Sequence, residues 1–124
     1  MAEQPTLIIQ VPRGSAIERQ LDADPPAAIR GQDVLVQAAA TDDQGNLEAL
    51  AGEVVLSVPA PEELARQADE VQRVLRNPGT GTAPLVIVVE AAEELRDDQA
   101  APVVQAAHRA PRPVILRIMH PSER

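Results

Sequence analysis

Apolar residues fall along this chain in two rhythms. Aliphatic and β-branched residues run together or alternate at residues 6–11 (TLIIQV), 33–40 (DVLVQAAA), 47–58, 85–89 (LVIVV) and 113–119 (PVILRIM), which predicts five strands. Between them the spacing changes to that of one helix face. Ile17 and Leu21 share a face in the first such stretch, and Leu64, Ala68, Val71, Val74 and Leu75 form the clearest stripe. A last stripe joins Ala100, Val103, Val104 and Ala107.

Local chemistry supports these assignments. Ser15-Ala16-Ile17-Glu18 has the form of a capping box, and Pro25-Pro26 ends the helix that follows by Asp24. The main helix opens at 59–63 (PAPEE), where Pro fits the first turn and Glu62 and Glu63 meet the positive helix end. Arg73 and Arg76 suit its last turn, and Asn77-Pro78-Gly79 stops it. Asp97-Asp98 precede the last helix, whose Pro102 is expected in the first turn. Residues 24–31 read as a loop within a single domain spanning 1–124.

From residue 54 to 119 the order is β-α-β-α-β, a pattern that closes as parallel strands through right-handed crossovers. The run at 85–89 is apolar on both alternating faces, as in a central strand with helices on both sides. Ahead of this unit, the runs at 33–40 and 47–58 flank the turn cluster Asp42-Asp43-Gln44-Gly45-Asn46 and read as a β-hairpin, with a bulge near Gly52. The predicted fold is therefore α/β or α+β: a single-layer mixed sheet of about five strands with helices packed on it, preceded by a strand, a short helix and the hairpin. Residues 31–58 also resemble the strand, TD-x-x-GN turn and strand of bacterial immunoglobulin-like repeats. The resemblance implies a hairpin there, whereas an all-β sandwich has no room for the helices that follow.

Composition narrows the function. The 124 residues contain no Phe, Tyr, Trp, Cys or Lys, so all 11 basic residues are Arg, as expected of G+C-rich coding. A core without rings must be built from Val, Ile, Leu and Ala, and the aromatic anchors of many tight interfaces are missing. Against 19 acidic residues the formal charge is −8, which opposes a polyphosphate backbone, and no side chain can stack on a base. Nucleic acid is not an expected partner. No thiolate metal site or disulfide is possible. MAEQP has neither a basic nor an apolar leader segment, and the longest apolar run is far short of a membrane span, so the expectation is a cytoplasmic protein with no membrane partner.

Few residues offer chemistry. Gly79-Thr80-Gly81-Thr82 pairs glycines with hydroxyls but follows a helix and opens a strand, the reverse of a phosphate loop, and lacks the P-loop Lys. It reads as a helix stop. Asp42-Asp43 is similar to the acidic pair of response-regulator receiver domains, yet no Lys completes that site and the pair sits in the predicted turn. Glu90, Glu93, Glu94, Asp97 and Asp98 follow the most apolar strand, at the carboxyl edge where open α/β sheets bind ligands; hard oxygens there suit a divalent cation, and equally suit a solvated helix start. Ser57, Glu62, His120 and, if the first strand is also parallel, residues 13–15 are expected at that edge, although Ser57 lacks a nucleophile elbow. His108 fits the negative end of the last helix.

Two functions follow as expectations. The first is a non-enzymatic acidic module, with no cofactor, serving as an adaptor, regulatory or assembly domain through a protein partner or self-association. An edge strand carrying Arg117 or Gln10 would present the contact, with Arg66, Arg73 and Arg76 against Glu62, Glu63, Asp69 and Glu70 setting specificity. The alternative is a metal- or small-ligand-binding domain, enzymatic in its strongest form, with Ser57, Glu90, Glu93 and His120 as the ligand-binding residues.

Overall fold

A computed structural model describes residues 7–30, 33–39, 53–77, 79, 81–90 and 93–119. The elements run β1 (Leu7–Pro12), α1 (Ala16–Ala23), β2 (Val34–Ala39), β3 (Glu53–Val58), α2 (Glu62–Arg66), α3 (Ala68–Arg76), β4 (Leu85–Glu90), α4 (Asp97–Arg109) and β5 (Val114–Met119). The five strands form one sheet in the order β2-β1-β5-β4-β3, and every neighbouring pair is parallel. The α/β class and the C-terminal β-α-β-α-β unit are as the sequence predicts.

The hairpin and the mixed sheet are not. β2 and β3 occupy opposite edges and do not pair. A helix separates β1 from β2, which makes that pair a parallel crossover unit, and β5 completes the sheet by docking on β1 instead of leaving β1 or β5 at an edge. Gln10 and Arg117 are thus interior residues of the sheet. The turn cluster at 42–46 and Gly52 lie outside the described residues; the irregularity seen in β3 is a register shift between Val54 and Leu56.

Helices cover one face. The connections β1 to β2, β3 to β4 and β4 to β5 all step in the same direction along the strand order, so crossovers of one hand place their helices on one side. Alternate strand residues facing that side, Leu7, Ile9 and Val11 with Leu85, Ile87 and Val89 and with Val114, Leu116 and Ile118, share one core with Ile17, Leu21, Leu64, Val71, Leu75, Val103 and Val104. Among the described residues, helices therefore cover the 85–89 run on one face alone. On the other side, Val86 and Ile115 are 1% and 2% exposed yet stand outside that core.

Helix limits follow local bonds. Ser15 Oγ accepts the Glu18 amide at 3.2 Å, while Glu18 reaches back to the amide of Gly14, whose φ of 81° makes the turn out of β1. The predicted helix at 61–76 is broken at Gln67 into α2 and α3. α4 starts earlier than expected, with Asp97 and Asp98 as its first residues, because the Gln99 side chain caps the Arg96 amide at 2.9 Å. Pro102 consequently lies inside the helix and deprives it of one amide donor. The loop at 24–30 is held by successive turns, by an Arg30–Asp24 bridge of 2.6 Å and by buried Ile29. Gln20 ties α1 to the approach to α4: its side chain donates to the Leu95 carbonyl at 3.3 Å and accepts the Leu95 amide at 3.2 Å.

Leu116→Ala, at a fully buried position, is expected to cost about 2–5 kcal/mol. Gln20→Ala should cost about 1–3 kcal/mol by orphaning the Leu95 backbone, and Val54→Ala less than about 0.5 kcal/mol. Urea unfolding followed by far-ultraviolet circular dichroism measures all three, and equal costs for Leu116→Ala and Val54→Ala would contradict this core.

Candidate functional site

The carboxyl ends of β3 and β4 lead into α2 and α4, and the two connections meet over the sheet edge. Pro61 and Glu62 from one, and Glu93, Glu94, Arg96 and Gln99 from the other, line a cavity of about 250 Å³. Three carboxylates and one guanidinium thus converge where parallel strands end. Arg96 leans toward α4, with its Nε 3.3 Å from Asp98 Oδ1.

The structure divides the residues the sequence singles out. Glu93 lines this cavity together with Glu62 and Glu94. Ser57 pairs in register with Val88, and Glu90 with Met119, so period-two alternation puts both on the face opposite the described helices, exposed. They are not among the cavity's lining residues. His120 lies outside the described residues. Among the described residues, no three of His, Cys, Asp and Glu are grouped so as to hold a metal ion. Ser57 shares its face with the exposed Glu90 carboxylate.

The face opposite the described helices is the feature that strand-by-strand reading misses. Register places Leu35, Ile8, Ile115, Val86 and Val54 in one row across all five strands. The next row is Gln37, Gln10, Arg117, Val88 and Ser57. Within it, Arg117 Nε donates to Gln10 Oε1 at 3.0 Å, and burial pushes the Arg117 guanidinium below its ordinary pKa. The alternation of Gln10 and Arg117 with aliphatic neighbours is the signal that could have identified this row.

Beside β2, Glu18, Arg19, Leu21 and Asp22 of α1 face Val36 and Ala38 across a groove of about 530 Å³. His108 lines a third cavity, between α4 and the loop at Ala27 and Ala28. On the outer helices, Arg66 bridges Glu63 at 2.8 Å and Arg73 bridges Glu70. The hydrogen bond from Arg73 holds the Glu70 carboxyl below its ordinary value near 4.5.

Among the described residues, no helix is long and apolar enough to cross a membrane. Comparison with protein-family models, curated proteins and solved structures finds no match for this chain.

Because the folded pKa of Glu70 lies below the unfolded one, its pairing with Arg73 stabilises at pH above about 4.5 and is lost as pH falls through the lowered value. A small melting-temperature deficit in Glu70→Gln at neutral pH is therefore expected to vanish in stronger acid. A deficit that persists unchanged there would show that the ion pair is not its source.

Proposed function

We propose that this chain is a small acidic, non-enzymatic α/β module of the cytoplasm that acts as an adaptor, regulatory or assembly domain through contact with another protein. The observation that carries this function is the location of the exposed large hydrophobics among the described residues: Leu35 at 47%, Val36 at 37% and Val54 at 60%, all on the two edge strands. Aliphatic side chains at an open sheet rim are what a partner strand or surface covers. The chain's −8 charge favours a protein partner over nucleic acid or an anionic surface.

The alternative is a divalent cation or small ligand at the carboxyl edge, held through Ser57, Glu90, Glu93 and His120. It is supported at Glu93, which lines one cavity with Glu62 and Glu94, while Ser57 and Glu90 lie apart from that cavity. Glu90→Gln with Glu93→Gln separates the two functions: a ligand-dependent rise in melting temperature that this pair abolishes would favour the alternative.

The interaction role predicts that the tagged chain recovers one protein in stoichiometric amount from its own cells. Leu35→Glu with Val54→Glu should abolish recovery without lowering the melting temperature, and recovery unaffected by the double variant would refute a role for the rim.

A further inference from the structure

The two edges of the sheet differ in how they are finished. β3 carries an irregularity between Val54 and Leu56, a device that discourages strand addition. β2 reads VLVQAA, with no charge, no proline and an unbroken six-residue register against β1. The Leu7 amide donates to the Asp33 carbonyl, and Leu7 pairs with Val34, which fixes the polarity of the strand. In a parallel ladder the amides of Leu35 and Gln37 then serve β1, while the amides and carbonyls of Val34, Val36 and Ala38 turn outward.

A chain segment added to those groups would send alternate side chains to opposite faces. On the helix side they would enter the groove between α1 and β2, whose floor is Leu21, Val36 and Ala38. Its wall bears the carboxylates of Glu18 and Asp22 with the guanidinium of Arg19, which is turned toward the Gly14 carbonyl at 3.3 Å. Long basic side chains can lay their methylenes on that floor and bring their charge to the acids. On the other face the neighbour is half-exposed Leu35, which fits an aliphatic side chain.

We infer that the β2 edge is a strand-addition site for an extended peptide segment in which basic and aliphatic residues alternate. This rests on the interaction role proposed above and specifies its surface and partner. Charge selects a foreign segment over a second copy: two chains of −8 each would bring the same acidic α1 groove together, whereas a basic strand complements it.

The test uses an acetylated, amidated octapeptide of alternating valine and arginine, and a control alternating valine and glutamate, titrated into the ¹⁵N-labelled full chain. The arginine peptide should bind at least about tenfold more tightly than the control and shift the amides of Val34, Val36 and Ala38. Val36→Pro removes an outward donor without touching the β1 ladder and should abolish binding. Asp22→Lys, an exposed change that leaves the strand intact, should weaken it by about tenfold. Both variants are first checked for an unchanged circular dichroism melt, and if Val36→Pro is unfolded, Asp22→Lys and the shift map decide. Absence of binding at millimolar peptide, equal binding of both peptides, shifts mapping elsewhere, or a dimer joined at β2 would each overturn the assignment. If the peptide fails while capture from cells still depends on Leu35 and Val54, the edge assignment alone falls and the broader interaction role stands.

Discussion

The direction of the crossovers governs this molecule. Each strand–helix–strand unit steps the same way along the sheet, and with a fixed hand of crossover that puts α1, α2, α3 and α4 on one side. The buried apolar side chains on that side condense into one core of Leu, Ile, Val and Ala. Without aromatic side chains, this core depends on the regular interleaving of three strand rows with the helix stripes, and Gln20 locking onto the Leu95 backbone fastens α1 to the rest.

One-sided winding of the described helices also shapes the carboxyl edge. Open α/β sheets bind ligands in the crevice formed when neighbouring connections leave toward opposite faces. Here the described connections leave toward the same face, and among the described residues Glu62, Glu93 and Glu94 line a cavity at the carboxyl edge. The opposite face keeps an apolar row spanning all five strands, closely buried at Val86 and Ile115 and open at Leu35 and Val54. A buried Gln10 bonded to Arg117 lies in the row beside it.

Much of the architecture was legible because helices and strands leave different periods, and because Ser15, Pro25-Pro26 and Asn77-Pro78 punctuate them. Strand partnership was not. The cluster at 42–46 between two alternating runs is sound turn chemistry, but a turn does not say whether its flanking strands pair; that depends on β5 claiming the place beside β1. The LVIVV run looks the same whether its second face meets helices or not. At the candidate site, proximity of Glu93 to Glu62 follows from both leaving carboxyl strand ends. The separation of Ser57 and Glu90 from them follows from alternation, once the strand registers are known.

β2 is a parallel edge strand that, among the described strands, pairs with β1 alone. Amide hydrogen exchange of the isolated chain reads this residue by residue. Protection at Leu35 and Gln37 with rapid exchange at Val34, Val36 and Ala38 is the predicted pattern. Uniform protection along β2 would contradict it and place a second strand against that edge.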